Sequence, residues 1–165
     1  MNLKPLLLFG LLAIGFVGCS DDDNDNLSKK ELTFDGTKYT FEFGGINAYY
    51  LNEGNFDIGF YNEVNDDYLS IQLSRAWDGK NVDLSKLDRD NDWTYRIQLE
   101  SQDKTEMYIM GNYESDFEDV KRSGTLFIKT INEKKNLYEI KINLIVEGKK
   151  LKMHYKGKLD LWEDK

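Results

Sequence analysis

An all-β domain is the fold class that this 165-residue chain predicts. Beyond residue 27 apolar residues alternate at period two along almost the whole chain, and no stretch keeps the i, i+3, i+4, i+7 spacing of a helix over three turns. Short glycine-bearing connections fall between alternating runs, as hairpins require. The architecture that follows is a single antiparallel β-sandwich or flattened β-barrel over residues 27–165, a meander of about nine to ten strands.

The elements follow in chain order. Leu32-Thr33-Phe34 and Tyr39-Thr40-Phe41-Glu42-Phe43 flank Asp35-Gly36, a dipeptide suited to the positive φ angles of a tight hairpin. Phe56, Ile58 and Phe60 are set to face Leu69, Ile71 and Leu73 across a loop at 62–67. Residues 75–92 lack alternation and are long for a bare connection, so they read as a functional loop or as holding a helical turn around 83–87. Trp93, Tyr95, Ile97 and Leu99 share one face of the next strand, and 107–110 form a shorter one.

Residues 121–131, with Gly124, Leu126 and Ile128 on one face, return through 132–136 and make the first of three meandering strands. The last two carry Tyr138, Ile140, Ile142, Leu144 and Val146, then Leu151, Met153, Tyr155, Gly157, Leu159 and Leu161. A type II′ turn at Gly148-Lys149 would set Val146 opposite Leu151, Ile142 opposite Tyr155 and Tyr138 opposite Leu159. The same register puts Lys141 opposite Lys156 and Glu139 opposite Lys158. Gly124 and Gly157, on an otherwise apolar face, read as bends or points of close approach in a curled sheet.

The N-terminus has a different character. Lys4 precedes an apolar run at 6–18, whose reach as a helix, about 20 Å at ~1.5 Å per residue, falls short of a hydrocarbon core of roughly 30 Å. This is the order of a secretory signal over residues 1–18, followed by an acidic tether at 19–26. Without residues 1–18 the net charge moves from −8 to −9, and residues 27–165 alone carry −5. That balance argues against general affinity for nucleic acid or an anionic membrane surface, and leaves partners to be recognised by shape or by local patches. Cys19 is the only cysteine, so neither a disulfide nor a cysteine-based zinc site can form.

Phe16-Val17-Gly18-Cys19 resembles a lipoprotein signal, with Phe16 where leucine is usual. The resemblance implies cleavage before Cys19 and lipidation of that residue. Ser20-Asp21-Asp22-Asp23 resembles the export signal of surface-exposed Bacteroidota lipoproteins, which implies an outer-membrane protein facing the cell exterior. Gly124-Thr125-Leu126, Tyr138-Glu139-Ile140 and the run His154-Tyr155-Lys156-Gly157-Lys158-Leu159 resemble the end of uncharacterised lipoproteins of that group, which have lipocalin-like or sandwich domains.

Candidate chemistry is sparse. His154 is the single histidine and lies on an outward strand face with Lys150, Lys152, Lys156 and Lys158; no nucleophile motif accompanies it. A solvated lysine face, edge protection or an anionic ligand are its readings. Asp88, Asp90 and Asp92 alternate as the carboxylates of a Ca²⁺ loop do, although Trp93 and Leu99 stand where an EF-hand has glycine and glutamate. Tyr61 and Tyr68 fall opposite each other on the outward face, and Trp77 sits in the long loop; these three are candidate stacking platforms for a glycan or another planar surface. The function expected is a non-catalytic binding module held to the membrane by lipid, with a structural or accessory subunit of an envelope assembly as the alternative.

Overall fold

Each alternating strand has one apolar face to bury, and the chain does so by laying two sheets against each other. The computed structural model describes residues 29–86, 95–102, 104–111 and 120–163. Its strands are β1 (Glu31–Phe34), β2 (Thr37–Thr40), β3 (Phe43–Asn47), β4 (Asn55–Asn62), β5 (Asp67–Ser74), β6 (Asn81–Asp83), β7 (Tyr95–Ser101), β8 (Lys104–Met110), β9 (Arg122–Asn132), β10 (Leu137–Val146), β11 (Lys149–Lys158) and β12 (Asp160–Trp162), with one short helix, α1 (Ala48–Asn52). They form two six-stranded sheets, ordered β2-β1-β11-β10-β9-β6 and β12-β3-β4-β5-β7-β8. The fold is therefore an open sandwich, not a closed barrel, and it has more strands than the alternation suggests.

The core lies between the sheets. Phe56 and Phe60 of β4 reach across to Tyr138 of β10 and Tyr155 of β11, with edge-to-face ring contacts at 6.2 and 5.2 Å between centroids. Such pairs add about 0.5–1.5 kcal/mol to the burial of the rings themselves. The facing of β4 and β5 is as alternation predicts: Phe56 pairs with Leu73, Ile58 with Ile71 and Phe60 with Leu69. Asp35-Gly36 makes the expected hairpin, with φ of 48° and 84°.

The last hairpin departs from the predicted register by two residues. Its turn is Glu147-Gly148, with φ of 49° and 81°, so both central residues are left-handed as a type I′ turn requires. Glu147 is held there from outside the hairpin: its amide donates to the Lys121 carbonyl at 2.8 Å and its carboxylate accepts from the Lys121 amide at 2.6 Å. Ile142 consequently pairs with Met153, Ile140 with Tyr155 and Tyr138 with Gly157. A shift of two leaves every side chain on its predicted face, so the core is unchanged. On the outside, Lys141 lies opposite His154 and Glu139 opposite Lys156, which removes the predicted lysine pair.

Three further differences arise from contacts between distant segments. The expected strand 39–43 breaks at Phe41, where the chain leaves one sheet for the other. The long loop holds a 3-10 turn at Arg75–Trp77 and the strand β6, which joins β9 with Val82 buried. The last predicted strand ends at Lys158; β12 then crosses over and pairs parallel with β3, leaving Leu161 half exposed. The glycines behave as predicted, since a Cβ at Gly124 would lie 2.0 Å from the Asn143 carbonyl oxygen and one at Gly157 would meet the Tyr155 hydroxyl.

Burial pushes the phenols of Tyr95 and Tyr155 up to about 12. Each donates its hydroxyl proton to a carbonyl, Tyr95 to Leu84 at 2.9 Å and Tyr155 to Lys158 at 2.6 Å. An unfolded tyrosine titrates near pH ~10, so this contribution to stability is complete below that pH and is lost as pH rises toward 12. An alkaline titration followed by phenolate absorbance and circular dichroism should show these two ionising together with loss of the β signal. Their ionisation in a fully folded protein near pH ~10 would contradict this.

Candidate functional site

The outward face of the sheet ordered β12-β3-β4-β5-β7-β8 is organised in three cross-strand rows. Phe43 pairs with Tyr61, Tyr61 with Tyr68 and Tyr68 with Glu100, which makes one row largely aromatic. The next row is Asp160, Gly45, Gly59, Ser70 and Gln98, with the smallest residues at its centre. Beyond it Asp57 pairs with Gln72 and Gln72 with Arg96, while Trp162 stands level with Asn47. Because side chains alternate along each strand, rows of equal parity share a face, and a row of glycines becomes a trough.

The trough opens as a groove of about 430 Å³ lined by Phe43, Gly44, Gly45, Gly59, Tyr61, Tyr68, Asp160 and Trp162. The glycines are needed for this shape. A Cβ at Gly45 would come within 2.6 Å of Trp162 Cδ1 and 2.9 Å of the Asp160 carbonyl, and one at Gly59 would sit 3.3 Å from the Tyr68 ring. The rings of Trp162 and Tyr68 thus lie over glycine backbone. Tyr61 and Tyr68 meet edge to face, 6.5 Å between centroids, and the Tyr61 hydroxyl donates to Asp66 Oδ1 at 3.3 Å. Phe43 is 54% exposed, so a large ring stands in solvent at the rim.

Beside the groove the outward face of the sheet turns polar. Gln72 Nε2 donates to Asp57 Oδ1 at 2.9 Å, with both residues buried although they point away from the core. Ser70 is also buried, and among the described residues its Oγ has no hydrogen bond of good geometry. The Tyr68 phenol is pushed up, first by its burial; the neighbouring Ser70 hydroxyl and Arg96 oppose this, while Asp57 and Glu100 reinforce it. Tyr68 is therefore a neutral hydroxyl and a planar ring at neutral pH.

Of the residues singled out in the sequence, Tyr61 and Tyr68 come together here. Trp77 does not: it follows the far end of β5, packs partly buried against the core and carries Lys80 Nζ 5.8 Å from its ring centroid. Cys19, Asp88, Asp90 and Asp92 lie outside the described residues. Among the described residues no three His, Cys, Asp or Glu side chains converge as a metal site. His154 is on the other sheet, where its Nε2 is 3.0 Å from Glu139 Oε1. Lys141 Nζ reaches the same oxygen at 2.7 Å, and these two partners, Lys141 first, hold the Glu139 carboxyl below the ordinary carboxylate range.

Sequence reasoning missed Phe43 and Trp162. The signal for Phe43 was its place before Gly44-Gly45 in a strand, a sign of close approach to backbone. Trp162 had none, since its position depends on β12 crossing between sheets. Compared with known proteins, the chain matches no family model, no curated protein sequence and no solved structure.

Proposed function

We propose that this protein is a lipid-anchored lipoprotein, attached through Cys19 to the outer membrane and facing the cell exterior, whose aromatic groove binds a glycan. One observation carries the reading: Phe43, Tyr61, Tyr68 and Trp162, drawn from four different strands, surround a trough floored by Gly44, Gly45 and Gly59. Sugar rings present flat C–H faces that stack on aromatic planes, and their hydroxyls need polar partners close by. Asp160 at the rim and the Tyr68 hydroxyl supply such partners. The groove offers a surface for holding a ligand, not a nucleophile with its base, so recognition without turnover is the proposed activity.

The test is a glycan array probed with the native protein, followed by titration calorimetry on the best ligand. Tyr61→Ala and Trp162→Ala should each weaken binding about tenfold or more, the usual effect of truncating an aromatic anchor. Val64→Ala, in an exposed turn outside the groove, should leave affinity unchanged. Binding that survives both groove substitutions overturns the assignment. The apolar lining also suits a partner's side chain; an array without hits, together with a co-purifying envelope protein lost from the same two variants, would favour the accessory-subunit reading.

A further inference from the structure

The outward face of the opposite sheet is basic in a domain whose net charge is acidic. On it stand Lys38, Lys141, Lys150, Lys152, Lys156 and Lys158, from β2, β10 and β11. Among the described residues three carboxylates answer part of this charge: Glu31 holds Lys38 at 2.9 Å, Glu139 holds Lys141 and His154, and Asp160 stands 4.0 Å from Lys158. Lys150 and Lys152 have no carboxylate at ion-pair distance among the described residues. Lys29 lines the same shallow depression of about 650 Å³ as Lys38, Lys152 and His154, so the chain joins the domain beside this face.

Lys29 lies ten residue steps beyond Cys19, a span of at most about 35 Å when extended at ~3.5 Å per step. An anchor at Cys19 therefore keeps the lysine face within easy reach of the leaflet. We infer that this face docks on the anionic headgroups of the leaflet that holds the anchor. Sandwich geometry gives the docking a consequence: the aromatic groove is on the outward face of the other sheet and is turned away from the membrane. The inference rests on the lipid anchor proposed above. Charge segregation reconciles it with the acidic total, because each lysine acts over roughly a Debye length of about 8 Å while the acids elsewhere are screened.

The experiment uses the native lipidated protein in vesicles of phosphatidylcholine alone or with roughly one-third phosphatidylglycerol. Lysines are acylated with a water-soluble active ester and read by peptide mass spectrometry. Acylation of Lys150 and Lys152 should fall about fivefold on anionic vesicles, with Lys104 on the other sheet unaffected and high salt restoring the signal. In the variant carrying Lys150→Glu and Lys152→Glu, Lys158 should lose its protection on those vesicles. Equal acylation on both vesicle types, with the protein still floating on them, overturns the docking; failure to float overturns the anchor itself. Protection that persists in detergent and disappears when Asp21, Asp22, Asp23 and Asp25 become Asn would assign the lysines to the tether and also overturn the docking.

Discussion

Gly124→Ala is expected to cost more than about 3 kcal/mol, enough to leave a domain of ordinary stability largely unfolded on mild warming. The backbone at Gly124 has φ of +128°, a region in which side chains are strained. The added methyl would lie 2.0 Å from the Asn143 carbonyl oxygen and 2.9 Å from Leu144 Cα. Both obstacles are backbone of β10, the central partner strand of β9, so nothing at the end of a flexible side chain can move aside. Gly124 also accepts the Leu84 amide at 2.9 Å, which ties β6 and the turn after it to the same point. Gly148→Ala is the control: its φ is +81°, but a Cβ there meets nothing within 4 Å, and about 1 kcal/mol is the expected cost. Urea denaturation of both variants decides the matter, and equal midpoints would refute the close-approach account.

Phe60→Ala should destabilise the fold by about 3–5 kcal/mol. The ring is fully buried, touches Phe41 at 5.9 Å and Tyr155 at 5.2 Å between centroids, and so closes the gap between the sheets. Neighbouring structure cannot collapse into the space, because the strands on both sides are fixed in their ladders. The informative comparison is with Tyr61→Ala, one residue further along β4 and on the opposite face. Tyr61→Ala should lose binding and keep most of the stability; Phe60→Ala should lose stability, and its remaining folded fraction should still bind. If the two variants changed the same property, the division of β4 between core and groove would be wrong.

That division was legible before any coordinates, because it needs only parity. Phe56, Ile58 and Phe60 point one way and Tyr61, with its partner Tyr68, the other, whatever else the sheet does. The groove was half legible for the same reason. Phe43 joins it only after the chain breaks at Phe41 and changes sheets, and Trp162 only through the parallel pairing of β12 with β3. Trp77 shows the converse: a large aromatic in an irregular segment carries no parity, and here it covers the core instead of facing a ligand.

The chain by itself determined its class, its apolar faces, the Asp35-Gly36 hairpin and the facing of β4 on β5, all of which follow from spacing within a few residues. Tertiary structure decided what depends on distant partners. Lys121 holds Glu147 in the left-handed turn that moves the last hairpin by two residues. The β6 and β12 strands, three residues each, exist only because β9 and β3 offer them edges to pair with. The physical reason is that side-chain alternation is a local property of extended backbone, whereas register and sheet membership are set by hydrogen bonds to strands far away in the chain.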